Sequence, residues 1–275
     1  MQIKYIINKN LEKLKEVTHI PQKEIYILLG VILKKDFIWL TLNQEYSLSV
    51  DELKLLDEYI SKRATYYPLE YITNSVSFYS EEFDIFEGVL IPRPETELLI
   101  DKAYEILKNI QNPKIIEIGT GSGIISTILA KKLKNLSVIA VDINPKALQL
   151  ASQNAKKHNV EGQIKFVLSD LLSAVDEDIF DMIVSNPPYI ANDFDLPKNV
   201  LFEPKEALFG GTRGDELIID IVNECIKKEI KYFCCEMGYD QKEPLSKVFD
   251  GYACSYEFYQ DYSGFDRGFV IELKG

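Results

Sequence analysis

The tetrapeptide Asn186-Pro187-Pro188-Tyr189 is the segment whose residue types are best suited to chemistry. Two consecutive prolines fix φ and lack N–H groups, so this turn is stiff. The Asn186 amide and the carbonyl of Pro187 provide oxygen acceptors that can hold the two hydrogens of a planar –NH2 group. Tyr189 can stack on the plane of that group or pack beside it. The structural alternative is a rigid turn after a strand.

Such a turn favours transfer of an electrophilic group to an amide or aromatic amino nitrogen. That nitrogen is a poor nucleophile because its lone pair is delocalised. Holding it close to an electrophilic carbon supplies orientation. Fixed acceptors that point at the developing positive charge stabilise it electrostatically. The reaction therefore needs no strong base before the transfer.

A glycine-rich loop follows Glu117, with glycine at every second position between a predicted strand and a predicted helix. A dinucleotide fingerprint requires a further small residue where this chain has Ile124, which weakens a pyrophosphate interpretation. A loop without side chains lets a ligand approach the backbone beside a helix N-terminus, which suits the carboxylate of S-adenosylmethionine. The motif alone leaves a tight turn, a nucleotide site and an S-adenosylmethionine site open. The loop residues are Gly119, Thr120, Gly121, Ser122 and Gly123.

Two acidic residues each end a predicted strand. Asp142 lies 23 residues after Gly119, where a carboxylate can accept hydrogen bonds from both ribose hydroxyls of an adenosine. The alternative is an acid that stabilises a helix N-terminus. Asp170 can accept a hydrogen bond from the adenine amino group, or it can be a solvated loop acid.

Arg93 and Glu203 each have two interpretations. Arg93 can pair with an acid near a cofactor or orient a linker, or it can be an exposed charge of little energetic value. Glu203 can contact a partner or stabilise its own loop. The sequence does not decide between these roles.

Hydrophobic periodicity predicts the elements that must position these residues. The first quarter of the chain predicts helices over 8–17, from Pro21, and from Ser49, where Glu52 completes a capping-box pattern. Aromatic and β-branched residues over 76–91 then predict a β-hairpin with its turn at Glu87-Gly88. The apolar stripes of the helices indicate a small packed bundle, or alternatively a surface that docks a partner.

The rest of the chain alternates short strands with helical segments, which predicts a parallel sheet covered by helices on both faces. In such a sheet, ligands bind at the carboxyl ends of the strands. The predicted strands span 114–118, 137–141, 164–168, 180–185 and 232–236, followed by an antiparallel pair at 253–259 and 267–273.

The amino-acid composition argues against several classes of protein. The 275 residues carry a net charge of −12, which argues against a dedicated duplex-DNA binder. The four cysteines show no metal-ligand spacing, so we expect no metal site and reduced thiols. No apolar run approaches the roughly 20 residues of a membrane span, so we expect a cytoplasmic protein with no membrane association.

These motifs together resemble the HemK/PrmC family, the glutamine methyltransferases of peptide chain release factors, over almost the whole chain. Its most recognisable segment is Leu90-Ile91-Pro92-Arg93-Pro94-Glu95-Thr96-Glu97. The glycine loop, Asp142 and the Asn-Pro-Pro-Tyr turn match in order and spacing. Further matching residues are Pro68, Leu69, Glu70, Tyr71, Ile72, Phe78, Phe83, Phe202, Glu203, Pro204, Ala207, Leu208, Gly210, Gly211, Asp261, Gly264, Asp266 and Arg267.

The resemblance implies an α/β fold: a Rossmann-like class I S-adenosylmethionine-dependent methyltransferase fold with a mostly parallel seven-stranded sheet. It implies a small N-terminal helical domain over residues 1–73 that docks the substrate. It also implies a β-hairpin linker over 74–92 and a methyltransferase catalytic domain over 93–275. Asn74 departs from the glycine usual in the linker, although asparagine tolerates positive φ.

The resemblance further implies transfer of a methyl group from S-adenosylmethionine to the glutamine amide nitrogen in the Gly-Gly-Gln loop of release factors, leaving S-adenosylhomocysteine. Leu171 stands where some members carry a tryptophan against the adenine. The implied catalytic and substrate-binding residues are Asn186, Pro187, Pro188 and Tyr189. The implied cofactor-binding residues are Gly119, Thr120, Gly121, Ser122, Gly123, Asp142, Asp170, Leu171 and Asn186.

Other functions remain possible at this point. The acceptor can be a glutamine of a ribosomal protein or an exocyclic amino group of a nucleic acid, because all of these are planar –NH2 groups. A third hypothesis is a non-catalytic binder of S-adenosylmethionine or a module that docks release factors, although a pure binder has no need for paired amide acceptors. We expect a monomer that takes release factors as its protein substrate and does not bind nucleic acid stably.

Overall fold

A computed structural model gives the fold of residues 1–177 and 179–274. The chain divides into two compact units. The N-terminal unit comprises Met1–Ser75 together with Leu196–Phe202, and the C-terminal unit comprises 76–195 and the residues from Glu203 onward. The predicted domains at 1–73, 74–92 and 93–275 remain a prediction, because compactness does not show that a segment folds alone.

The helices of the N-terminal unit pack around one apolar core. As the sequence predicts, one helix begins at Pro21 and another follows Ser49. The Ser49 hydroxyl oxygen accepts the backbone N–H of Glu52 at 3.3 Å, and the Glu52 carboxylate accepts the backbone N–H of Ser49 at 2.7 Å. The first helix begins five residues before the predicted start. The helices are α1 (Ile3–Leu14), α2 (Pro21–Leu33), α3 (Phe37–Leu42), α4 (Val50–Arg63) and α5 (Leu69–Thr73).

A hairpin opens the C-terminal unit, and its predicted turn is wrong. Strands β1 (Ser75–Phe78) and β2 (Glu81–Asp84) are joined by Tyr79 and Ser80, both with left-handed φ (55° and 59°). The buried rings of Phe78 and Phe83, one on each side of this connection, pack in the same apolar core. The chain therefore reverses direction between these two residues. The predicted turn at 87–88 lies after β2.

The central sheet has the strand order β10-β11-β9-β6-β3-β4-β5. Neighbouring strands are parallel from β9 to β5, and β11 pairs antiparallel with both β9 and β10. The predicted mostly parallel seven-stranded sheet is therefore confirmed. Its strands are β3 (Lys114–Ile118), β4 (Ser137–Asp142), β5 (Ile164–Leu168), β6 (Met182–Ser185), β9 (Tyr232–Glu236), β10 (Cys254–Gln260) and β11 (Asp266–Leu273).

Helices cover both faces of the sheet, because successive strand residues point to opposite sides. Ile115 and Val138 pack on the face that carries α6 and α7, whereas Ile116 and Ile139 pack on the face that carries α9 and α10. A short pair of strands, β7 (Ile190–Ala191) and β8 (Phe209–Gly211), lies outside the sheet. The helices of this unit are α6 (Thr96–Leu107), α7 (Ile124–Lys132), α8 (Pro145–Lys157), α9 (Glu216–Lys227) and α10 (Lys242–Phe249).

The cysteines are free thiols, as predicted, and Cys225, Cys234 and Cys235 are buried. Burial raises the pKa of the Cys234 thiol to about 12, so this side chain behaves as a small apolar residue. Over residues 1–177 and 179–274, the helices are too short or too polar to cross a bilayer.

Candidate active site

A cleft opens at the carboxyl ends of β3, β4 and β6, where the connections of the parallel strands diverge to opposite faces of the sheet. It brings together residues that are far apart in the sequence. The predicted cofactor residues that line it are Gly119, Gly121, Asp142, Asp170, Leu171 and Asn186. Leu90, Ile143, Ala207 and Leu217 also line it, and sequence reasoning gave none of them a site role.

The glycine loop is held in a conformation that only glycine adopts easily. Gly119, Gly121 and Gly123 all have positive φ (71°, 54° and 76°), a region that L side chains avoid. A Cβ on Gly121 would meet nothing within 4 Å, whereas one on Gly123 would lie 2.7 Å from the Cβ of Ala151. Gly121 therefore borders open space, and Gly123 allows α7 and α8 to pack closely.

Thr120 and Ser122 are buried and do not line the cleft. The Thr120 hydroxyl donates to Glu117 Oε2 at 2.8 Å, which also accepts from the backbone N–H of Ser126 at 3.2 Å. Burial raises the pKa of Glu117 to about 7. The predicted contact of Thr120, Ser122 and Gly123 with the cofactor remains a prediction. The contacts that the structure shows for these three residues stabilise the glycine loop on the side away from the cleft.

Asp142 ends β4 and ties the glycine loop to the strand. One carboxylate oxygen accepts the backbone N–H of Gly121 at 2.9 Å, and the other accepts that of Asn144 at 2.8 Å. Burial raises the pKa of Asp142, and these N–H donors oppose the rise. Each oxygen has capacity for a second hydrogen bond, and Asp142 lines the cleft.

Asp170 and Leu171 follow β5 and border the same cleft. Asp170 is exposed, which leaves its carboxylate accessible. Leu171 has φ of 45°, an unfavourable conformation for a leucine, and such strain persists only where the surroundings enforce it. Both residues line the same cleft as Asp142, and their contact with an adenine remains a prediction.

The Asn-Pro-Pro-Tyr turn follows β6, and a buried hydrogen-bond network fixes its two polar ends. Asn186 Nδ2 donates to Thr96 Oγ1 at 3.0 Å, and the Thr96 hydroxyl donates to Glu236 Oε2 at 2.8 Å. The Tyr189 hydroxyl donates to Glu236 Oε1 at 2.9 Å. Sequence reasoning did not identify Thr96 or Glu236 as part of the site.

The network assembles three strand or helix ends at one place. Thr96 begins α6, Glu236 ends β9, and Asn186 follows β6, which pairs with β9. Burial raises the pKa of Glu236, and the hydrogen bonds from Thr96 and Tyr189 and the charge of Arg267 oppose the rise. One sequence signal could have found Glu236: it is an acid at the end of an apolar strand, as Asp142 is.

Arg93 and Glu203 form an ion pair, which resolves the interpretation that the sequence left open. The Glu203 side chain is almost fully buried, and its second oxygen accepts the backbone N–H of Ile91 at 2.9 Å. The pair therefore joins the segment before α6 to the loop that follows the Asn-Pro-Pro-Tyr turn. These contacts favour the loop-stabilising role of Glu203.

Sequence comparisons relate the chain to two known families of domains and to known methyltransferases. Residues 7–73 match the PrmC N-terminal domain, and residues 95–211 match the methyltransferase small domain. The chain is 37% identical to the release factor glutamine methyltransferase of Koribacter versatilis over 90% of both chains. It is 34% identical to that of Buchnera aphidicola subsp. Baizongia pistaciae, over 97% of this chain and 98% of the relative.

A solved structure shows the same fold at low sequence identity. The catalytic domain of hMettl16, in complex with the MAT2A 3'UTR hairpin 6, superposes with a TM-score of 0.57 and 19% identity, over 70% of this chain and 74% of that chain. The resemblance inferred from the motifs is thereby confirmed by the relatives, and the methyltransferase fold by the structural comparison. The chain belongs to the release factor glutamine methyltransferase family of S-adenosylmethionine-dependent enzymes.

Proposed function

We propose that this protein transfers a methyl group from S-adenosylmethionine to the side-chain amide nitrogen of the glutamine in the Gly-Gly-Gln loop of peptide chain release factors. The observation that carries the proposal is the orientation of Asn186. Its amide nitrogen is bound to Thr96, so its amide oxygen is left to accept a hydrogen from a planar –NH2 group in the cleft that Asn186 lines.

The turn supports this chemistry through two oxygen acceptors. Asn186 Oδ1 and the carbonyl of Pro187 accept the two hydrogens of the glutamine amide, which fixes the plane of that amide. Positive charge that develops on the nitrogen is then stabilised by oxygens that need no reorganisation. The nitrogen loses its extra proton to water only after the methyl group has been transferred, so no side chain has to act as a base first.

The cleft residues fit S-adenosylmethionine. The open space at Gly121, beside the first turn of α7, suits a carboxylate next to backbone N–H groups. Asp142 would hold the ribose hydroxyls, while Asp170 and Leu171 would border the adenine. S-adenosylmethionine, when bound, supplies a methyl group on an electron-poor sulfur.

The Asp142→Ala variant is expected to bind S-adenosylmethionine about a hundredfold more weakly, or more. It loses hydrogen bonds to a charged group, each of which contributes about 1.5–3 kcal/mol, and it frees the N–H of Gly121. Isothermal titration calorimetry measures the dissociation constant. Asp220→Ala, an exposed change on α9, serves as the matched control. An unchanged dissociation constant for Asp142→Ala would contradict its role.

Peptide mass spectrometry tests the proposed reaction directly. Release factor is mixed with this protein and S-adenosylmethionine, and the peptide that contains Gly-Gly-Gln is examined for one added methyl group on the glutamine. Parallel reactions contain ribosomal proteins or nucleic acid in place of release factor. Methylation of either alternative, with release factor unmodified, would overturn the proposal in favour of that acceptor.

We also propose that the N-terminal unit docks the release factor. An apolar groove of about 940 Å³ opens in this unit, and its lining includes Ile27, Val31 and Phe37, each more than a third exposed. Apolar surface that is left accessible in this way is typical of a protein contact. Lys23 and Lys35 also line the groove, so the contacting segment of the release factor would be apolar with acidic neighbours.

The Val31→Asp variant tests the docking role. Because Val31 is 40% exposed, the change should leave the fold intact while it places a charge in the groove. We expect KM for release factor to rise about tenfold or more, the equivalent of roughly 1.4 kcal/mol, with kcat and cofactor affinity unchanged. Val50→Asp, at 69% exposure and the first residue of α4, is the matched control. Equal KM values in both variants would exclude the groove.

The remaining expectations about partners extend the proposal. A net charge of −12 disfavours stable binding to nucleic acid, and we propose a monomer that acts in the cytoplasm, where release factors are made. Analytical ultracentrifugation of the purified protein tests the monomeric state.

A further inference from the structure

The two polar ends of the catalytic turn are connected through one carboxylate. Asn186 reaches Glu236 through the Thr96 hydroxyl, with steps of 3.0 and 2.8 Å, and Tyr189 reaches the other oxygen of Glu236 directly at 2.9 Å. Thr96 and Glu236 are 1% exposed. The contact between Thr96 and Glu236 is therefore shielded from solvent.

The direction of the hydrogen bonds in this network follows from chemistry. The Thr96 hydroxyl donates to Glu236 Oε2, and a hydroxyl has only one hydrogen to donate. Towards Asn186 the Thr96 oxygen then can only accept, and the group that it accepts from must be the Asn186 –NH2. The amide oxygen of Asn186 consequently points away from Thr96, towards the cleft.

The other end of the network behaves in the same way. Burial, and then the charge of Glu236, raise the pKa of Tyr189, so the phenol keeps its proton and donates it to the carboxylate. The backbone of the same residue is held separately, because Gln241 Nε2 donates to the Tyr189 carbonyl at 2.9 Å. The ring of Tyr189 is thus fixed at its hydroxyl and at its main chain.

We propose that Thr96 and Glu236 are positioning residues for methyl transfer: Glu236 accepts at both ends, and this determines that Asn186 presents its oxygen to the substrate amide. The inference rests on the proposed function, since it concerns the same glutamine. With the Asn186 amide reversed, its –NH2 would face the –NH2 of the substrate, and the acceptor would be lost although every side chain remained in place.

Replacement of the carboxylate by an amide tests the direction of the network. In Glu236→Gln the side chain has one acceptor and one donor, so it cannot accept from both hydroxyls. If its –NH2 faces Thr96, the Thr96 hydroxyl is free to donate to Asn186, which favours the reversed amide. If its –NH2 faces Tyr189, the Tyr189 hydroxyl cannot donate to it and must turn its hydrogen away. We expect kcat to fall by on the order of tenfold to a hundredfold, with KM for release factor and the cofactor dissociation constant within about twofold.

A threonine series separates the hydroxyl from packing. Thr96→Val removes the hydroxyl at nearly constant volume and is expected to lower kcat as Glu236→Gln does, whereas Thr96→Ser keeps the hydroxyl and should retain kcat within about threefold. Thr127→Val is the matched control, because Thr127 is buried in the same unit and its hydroxyl has no hydrogen-bond partner among the residues that the structure describes. Its kcat should equal that of the unmodified protein.

A measurement that is independent of turnover distinguishes failure of this inference from failure of the proposed function. The side-chain –NH2 signals of Asn186, assigned by their loss in Asn186→Asp, are followed in nitrogen-15 NMR spectra without substrate. They should shift in Thr96→Val and Glu236→Gln and remain near their original position in Thr96→Ser and Thr127→Val. The inference is overturned if these signals do not move, if Thr96→Ser loses as much kcat as Thr96→Val, or if the variants change only the thermal midpoint.

Discussion

The Asn186→Ala variant is expected to methylate release factor with a kcat lower by on the order of a hundredfold or more. The change removes the side-chain oxygen that accepts from the glutamine amide, and it leaves the Thr96 oxygen without its donor. Binding of S-adenosylmethionine should stay nearly normal, because the glycine loop and Asp142 do not depend on this side chain. The loss therefore falls on the chemical step.

Two measurements separate these effects. Steady-state kinetics with release factor gives kcat, and calorimetry gives the dissociation constant of the cofactor. Asn109→Ala is the matched control, since Asn109 is exposed two residues after α6 and its amide donates to the carbonyl of Glu105 at 2.9 Å. Undiminished turnover in Asn186→Ala would refute the assigned role.

The second large effect is expected at Gly210, which lies on β8 beside the turn. A Cβ at this position would be 2.3 Å from the carbonyl oxygen of Pro188 and 2.5 Å from that of Gly214. Both are backbone atoms, so Gly210→Ala must displace the turn itself. We expect a loss of about 3 kcal/mol of folding stability, together with a kcat lower by about a hundredfold, because a displacement near 1 Å is enough for that.

Gly162→Ala is the control for the second prediction. A Cβ at Gly162 meets nothing within 4 Å, so this variant should match the unmodified protein in both stability and activity. Urea denaturation measures the free energy of unfolding, and the kinetic assay is as above. If Gly210→Ala retained full activity, the turn would tolerate displacement, and the rigid geometry proposed for the reaction would be wrong.

The strands of the central sheet could be predicted from the sequence almost residue by residue. The strand at Lys114–Ile118 has the predicted bounds, because it is a short apolar run followed by glycines. The same holds for Ile164–Leu168 and Tyr232–Glu236. Parallel strands that are buried on both faces, as Lys114–Ile118 and Tyr232–Glu236 are, produce such runs.

Two local features could not be predicted, for different physical reasons. Helix α3 spans only Phe37–Leu42, too short for a periodic stripe, and Phe37 and Leu42 are exposed. The hairpin turn is formed by Tyr79 and Ser80, both at left-handed φ, where glycine, asparagine and aspartate are the typical residues. Glu97 Oε1 accepts the backbone N–H of Tyr79 at 2.7 Å, so a side chain from α6 stabilises the turn.

Site residues that belong to a local sequence motif could be predicted, whereas residues that only the folded chain brings together could not. Asn186 and Asp142 lie in recognisable local patterns. Thr96 and Glu236 meet only because α6 begins next to the carboxyl end of β9, and they are 140 residues apart in the chain. A partner at that separation follows from the order of strands in the sheet, which single motifs do not encode.

The seven residues Leu196–Phe202 pack with the N-terminal unit although both flanking segments belong to the other unit. The ring of Phe202 lies 5.3 Å from that of Tyr67, and Lys198 lies over the ring of Tyr66. A gene fusion that joined only Met1–Ser75 to a different catalytic module at a single splice point would therefore omit the segment that packs against Tyr66 and Tyr67. Evolutionary exchange of the two modules requires two coordinated recombination events, so we expect them to have been inherited together.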